Sequence, residues 1–326
     1  MALYFAPINL LSNYVYRHIV LQCGADYVFS ELILARELDK AVRDDKLELI
    51  EEDVPRTIFQ IGVSTPEEVF TGVAFVQDYV ARPFEININM GCPQSTMQQT
   101  KICGGILYDV DLVGELAGAL ADALKGTSTI PSIKIRLGTD PETILVEQYI
   151  QAARRNAVKK VYIHARTLRH GYHKPTRYEF FSGLREKYPD MQLVFNGDVD
   201  SYEAFKNIGG GDVLIARAGL NNPLLFSDIK DKVEYGSGPY GPEVKDPNLL
   251  RSDEVRFGPR KIQLVRDYLA CAVKYDLRKR LYCGNMKWLT KGVTGIGSLN
   301  KALNASENAK EAKELFENWL AEYKYL

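Results

Sequence analysis

"TIFQIGVSTPEEVFTGVAFVQDYVARPFEININ", residues 57–89, places two short apolar runs on either side of a longer segment with a different period. TIFQIG (57–62) and FEININ (84–89) are rich in β-branched and aromatic residues and read as strands. TPEEVFTGVAFVQDYV (65–80) opens Thr-Pro-Glu-Glu, an N-cap with Pro in the first turn, and reads as a helix. Working outward, the same kind of run recurs at ALYFAP (2–7), DYVFSE (26–31), SIKIRL (132–137), KVYIHA (160–165), QLVFNG (192–197) and DVLIAR (212–217). Helical segments lie between most of them, including 109–126 and 140–156, the latter opening Asp-Pro-Glu-Thr. The unit after residue 31 is the weakest, because its helical pattern is broken.

Near-continuously apolar strands alternating with helices imply a parallel sheet covered by helices. Eight such units in about 230 residues match the count and size of a closed (β/α)8 TIM barrel. An open doubly wound sheet usually has fewer strands and a Gly-rich first turn, and the first turn here is APINLLSN. The expected class is therefore α/β, a TIM barrel over 1–234. YGSGPYGPEVKDPNLL (235–250) reads as a Gly/Pro linker, and 251–326 as a small all-helical domain. In its last helix, 308–323, Ala312, Leu315, Phe316, Trp319 and Leu320 fall on one face.

Five cysteines, an odd number without a C-x-x-C pair, argue against a disulfide framework and fit a reducing compartment. No signal peptide or membrane span is visible, so the expected location is cytoplasmic or nuclear. The net charge of −1 hides an asymmetry: residues 1–244 carry 25 Lys+Arg against 32 Asp+Glu, and residues 245–291 carry 12 against 5. From Arg154 to Arg177 there are eight Lys/Arg, three histidines and no acid. Such stretches can be solvated helix faces, and they can also grip a polyanion.

Chemistry in a barrel sits at the C-terminal ends of the strands. Those ends carry Pro7-Ile8-Asn9, Glu31, Gln60, Asn89 to Cys92, Lys134 and Arg136, His164 and Arg166, Asn196-Gly197-Asp198, and Ala216-Arg217. A lone Lys inside an apolar strand is costly unless it meets an anion or a polar ring. The Gly-rich turns after the seventh and eighth strands sit where barrels build phosphate sites, with Arg217 as a charge partner. With Gln60 and Lys134 reaching a ring, the set suits flavin mononucleotide (FMN). No G-x-G-x-x-G follows a strand, and the histidines have no metal-ligand spacing, so no metal is expected. Cys92, directly after the fourth strand, is a better proton donor by position than Cys103; the other cysteines read as packing residues.

NINMGCP, IFQIGVS, SIKIRLG, IHARTLRHG, VFNGDVDS and DVLIARAGLNNPLLF stand in an order and spacing that resembles the tRNA-dihydrouridine synthases, FMN-dependent barrel enzymes with a C-terminal helical domain. The segment AVKYDLRKRLYCGNMKWL is most similar to the eukaryotic type acting on D-loop position 20. The resemblance implies reduction of the C5–C6 bond of a tRNA uridine, with Cys92 as general acid and NADPH as transient electron donor. It implies FMN contacts for Pro7, Ile8, Asn9, Gln60, Lys134, His164, Asn196, Gly197, Asp198, Ala216 and Arg217. It also implies substrate contacts for Asn89 and Arg166, tRNA as partner, and a tRNA clamp built from the two basic stretches. Stacking by Tyr172, Tyr268 or Tyr275 would fit such a clamp. Departures from the family pattern are Ile8 for Met, Asn87 for Asp, Ala165 for Gly, Ala216 for Gly, and a cysteine at 103. The strand-end residues alone also admit another FMN-dependent barrel oxidoreductase acting on a small enone or pyrimidine. A non-catalytic RNA-binding or structural protein would not need Cys92, Lys134 or the N-G-D turn.

Overall fold

The computed structural model describes residues 1–171, 174–235, 258–293 and 295–323. Eight parallel strands close on themselves: Leu3–Phe5, Tyr27–Phe29, Thr57–Gly62, Glu85–Asn89, Ile130–Arg136, Lys160–His164, Gln192–Asn196 and Val213–Ile215. Closure comes from the first strand pairing with both the second and the eighth, with Tyr4 opposite Tyr27 and Leu214. All eight predicted strands are present. The broken unit after residue 31 resolves into a two-residue strand Ile33–Leu34, a short helix Leu38–Arg43 and a 3-10 turn Glu51–Arg56.

Local signals account for most helix boundaries. The Thr65 hydroxyl accepts from the Glu68 amide at the start of helix Pro66–Tyr79. Asp109 caps helix Val110–Ala123 by accepting from Asp111 and Leu112. The helix expected from 140 begins only at Val146. A hairpin of Gly138–Asp140 and Thr143–Ile144 takes its first turn, and Asp140 accepts from the Glu142 amide across the bend. Asp-Pro-Glu-Thr is thus a turn signal here, not a helix start. Gly138 permits it: a Cβ there would lie 1.9 Å from the Thr143 carbonyl oxygen.

Alternation along the strands fills the barrel. Tyr4, Ala6, Phe29, Ile58, Tyr162, Val194 and Leu214 form a buried apolar cluster. On the fourth strand Glu85, Asn87 and Asn89 share one face; on the fifth Ser132, Lys134 and Arg136; on the sixth Lys160, Tyr162 and His164. Their register sets Asn87 beside Ser132, Asn89 beside Lys134, and Arg136 beside His164. A polar ladder therefore climbs one wall of the barrel.

The chain divides into two compact units, Met1–Tyr14 with Ala25–Ala216, and Val15–Gly24 with Arg217–Leu326. The second gathers most of the first helix (Tyr14–Gln22) and the helices Arg217–Asn221, Leu225–Tyr235, Pro259–Lys274, Lys279–Leu289, Ile296–Ala305 and Ala309–Glu322. Tyr16 donates to the Leu220 carbonyl and meets Tyr268 edge-on, and Tyr268 donates to the buried Asn285. Ala312, Phe316 and Leu320 of the last helix are buried, while Leu315 and Trp319 are half-buried. Apart from Tyr235, the predicted linker 235–250 lies outside the described residues, as does Tyr172.

Candidate active site

Asn89 ends the fourth strand, and its side chain organises the turn that follows. Its Oδ1 accepts from the backbone amides of Gly91 and Cys92, both at 3.0 Å. Two incoming N–H groups fix which end of the amide is oxygen. The Asn89 Nδ2 then donates to Gln60 Oε1, Gln60 Nε2 to Asn87 Oδ1, and Asn87 Nδ2 to Ser132 Oγ, each at 2.8 Å. The Ser132 hydroxyl donates in turn to Glu85 at 2.5 Å. One directional chain runs from the Cys92 amide through the barrel to a buried carboxylate. Asn87, where the resemblance leads one to expect Asp, has to accept from Gln60 and donate to Ser132; a carboxylate cannot do both.

Cys92 is half-buried, and its loop is clamped from two sides. Arg136, 1 % exposed, donates through Nε to the Gly91 carbonyl at 2.8 Å and through NH1 to the Thr167 carbonyl at 2.9 Å. Gly104 backs directly onto Cys92: a Cβ at 104 would lie 2.2 Å from the Cys92 carbonyl oxygen. Cys103 is fully buried, and burial together with the neighbouring Cys92 pushes its thiol well above the ordinary range. A thiol held protonated in an apolar pocket is a packing group. Of the two cysteines, Cys92 is the one that reaches the surface.

Lys134 faces the same end of the barrel, opposite Asn89. Burial and the Arg136 guanidinium lower its ammonium to about 8, and it makes no hydrogen bond or ion pair among the described residues. A half-buried cation in such a setting is stabilised by an electron-rich ligand atom. The oxygen-bearing, electron-accepting end of a flavin ring suits it, so the residues present fit that cofactor.

The remaining candidates of the first unit follow the C-terminal ends of strands, with differing exposure. Pro7 and Ile8 are half-buried and Asn9 is exposed. Their loop is tied by Ser12, which accepts from the Ile8 amide, and by the buried Glu31, which accepts from the Leu10 amide. Gln60 is fully buried, with both ends of its amide engaged. Asn196 donates to the Leu214 carbonyl at 2.7 Å, locking the seventh strand to the eighth. Gly197 and Asp198 turn with φ of +139° and +47°. Asp198 pairs with Arg166 through both carboxylate oxygens, and Arg166 NH1 lies 3.3 Å from His164 Nε2. Ala216 is half-buried; Arg217 is exposed and belongs to the second unit.

The basic run from Arg154 to Arg177 does not form one surface. Lys160 starts its strand and is buried on Glu85, and Arg166 is buried on Asp198. Arg154 pairs with Asp190, and Arg177 with Glu179. Among the described residues of the second unit, Arg266 is held by Glu317 and Arg260 by Asp228. Glu85, Ser132 and Lys160, lower rungs of the ladder, escaped a reading confined to strand ends. The signal for them was the alternation of polar residues within strands that a covered barrel otherwise fills with apolar ones.

Comparison with known proteins agrees with this geometry. A probable tRNA-dihydrouridine synthase of Aquifex aeolicus is 24% identical over 314 residues, covering 94% of this chain and 92% of that protein. The tRNA-dihydrouridine synthase B of Escherichia coli K12 is 23% identical over 328 residues, covering 98% and 95%. That of Pasteurella multocida is 23% identical over 316 residues, covering 95% and 90%. The family model described as dihydrouridine synthase matches residues 4–323, almost the whole chain. The chain belongs to the dihydrouridine synthase family of oxidoreductases.

Proposed function

We propose that this protein is a tRNA-dihydrouridine synthase acting in the cytoplasm, and that it reduces the C5–C6 bond of a D-loop uridine. The observation that carries the reading is the pairing, at one end of the barrel, of a firmly held Cys92 loop with the half-buried ammonium of Lys134, which makes no ion pair among the described residues. FMN bound at that end would supply the hydride for C6, with NADPH as the donor that reduces it beforehand. Lys134 would hold the polar edge of the ring, with Pro7, Ile8 and Asn9 beside it and Gln60 setting the amide network below. Asn196, Gly197 and Ala216 would line the ribityl and phosphate side, with Arg217 as charge partner and His164 near the ring.

Cys92 is the group proposed to move a proton: its thiol would protonate C5 from the face opposite the hydride. Asn89 has both lone-pair directions of its oxygen taken by backbone amides, so what it can offer a base is an N–H. A base in folded tRNA has to leave its stack to enter such a site.

The test is single-turnover reduction with NADPH-reduced protein and unmodified tRNA transcripts, with product mapped by position. Dihydrouridine at one D-loop uridine is the expected result. Flavin that is reduced and reoxidised without any tRNA product, while free pyrimidines or enones are consumed, would move the assignment to a small-molecule reductase.

A further inference from the structure

The N-G-D turn does more than end a strand. Gly197 brings the chain against two side chains: a Cβ there would lie 2.4 Å from Thr176 Cγ2 and 3.4 Å from His164 Cδ2. Together with its φ of +139°, this excludes any other residue without displacement. The turn delivers the Asp198 carboxylate to the guanidinium of Arg166, which is 2 % exposed. That guanidinium also donates from Nε to the Lys174 carbonyl at 2.6 Å and from NH1 to His164 Nε2. Two donations to Asp198 complete the set, so four of its five N–H groups are engaged inside the protein.

An anionic carboxylate is a poor lining for a phosphate, and a buried, engaged guanidinium is a poor ligand for an incoming base. Arg166 instead meets His164, and Asp198 holds Arg166. An arginine cannot accept a hydrogen bond, so the contact at 3.3 Å requires Nε2 of the ring to be the acceptor. The ring proton then resides on Nδ1.

We infer that Arg166 and Asp198 are positioning residues: the guanidinium, anchored by the carboxylate, holds His164 as the neutral Nδ1–H tautomer. Whatever His164 meets through Nδ1 is thereby met by a donor. The lock follows from the ring geometry alone; its consequence for turnover rests on the function proposed above.

Two measurements test it. The chain has four histidines, so nitrogen-15 spectra of the full-length protein as purified can be assigned with a His164→Asn variant. The expected wild-type pattern is a protonated Nδ1 and an unprotonated Nε2 at His164. Asp198→Asn, nearly isosteric, should release the ring into a mixture of tautomers, and Arg166→Met should do so more completely. A proton on Nε2 in the wild type, or an Asp198→Asn spectrum unchanged from it, overturns the inference whatever the enzyme acts on. In the activity arm, Asp198→Asn should lower turnover of flavin-saturated enzyme by about 10- to 100-fold, with flavin affinity unchanged. Lost flavin affinity with turnover kept at saturation would make Asp198 a cofactor ligand and remove its positioning role.

Discussion

At the N-terminal end of the barrel the Lys160 ammonium lies 2.6 Å from the Glu85 carboxylate and 4.8 Å from the centre of the Tyr4 ring. Glu85 is satisfied further by the Ser132 and Tyr162 hydroxyls. At the C-terminal end Lys134 has different neighbours, Asn89, Arg136 and the two cysteines Cys92 and Cys103, and meets no acid among the described residues. Both lysines stand inside strands of the same barrel, and the hydrogen-bonded chain from Cys92 to Glu85 ties the two ends together. What separates them is completeness. A buried charge that finds every partner within the protein consolidates the fold, while one left short of a partner marks where a ligand is expected.

The largest effect is expected at Cys92. Cys92→Ala should lower dihydrouridine formation by about 10²- to 10⁴-fold and leave the urea midpoint unchanged. Retained turnover would show that the C-terminal end does not work through this thiol. The mirror-image change is Glu85→Ala, which strands the buried Lys160. It should cost about 3–5 kcal/mol in urea unfolding, with the effect read in stability before activity. A cost below about 1 kcal/mol would mean that the N-terminal pair is not the anchor described. Gly104→Ala tests the boundary between the two kinds of effect. A Cβ 2.2 Å from the Cys92 carbonyl oxygen has to push the Cys92 loop, costing about 1–3 kcal/mol and also slowing turnover. Stability lost without any change in rate would show that the position of the Cys92 loop is not critical.

The difference between the ends also governs what could be read from the chain. Strand count and order were legible because each strand is a short β-branched run bounded by turn residues, and the parallel barrel follows from their alternation with helices. The position of the candidate residues at strand ends was legible because each apolar run stops at a polar or turn residue. Helix 140–156 was misplaced by one hairpin, since Asp-Pro starts a turn as readily as a helix and only the close approach at Gly138 decides between them. The grouping of Val15–Gly24 with the C-terminal helices depends on contacts such as Tyr16 to Leu220, 204 residues apart in sequence, which no local pattern announces. The basic run 154–177 looked continuous, yet its strand carries Lys160 to one end of the barrel and Arg166 lies beyond the other. Charge along a sequence is not charge on a surface when a strand runs through it.

Lys134 gives the smallest effect, and its sign separates the two lysines. Its ammonium titrates at about 8 in the fold and at about 10.4 in an unfolded chain. Between those values the unfolded chain keeps a proton that the folded chain has released. The flavin-free protein should therefore gain stability as pH climbs from about 8 to 10.4, and below 8 it should carry the full penalty of the charged form. Lys134→Met removes that penalty. At pH 7 the variant should melt roughly 2–4 °C higher, equivalent to about 1 kcal/mol, since the half-buried ammonium keeps part of its solvation. It should also lose flavin affinity, a gain in stability taken at the expense of a binding group. A variant that melts lower than the wild type at pH 7 would show that Lys134 has found compensation within the protein. The two lysines would then differ only in which partners they have, not in whether one of them waits for a ligand.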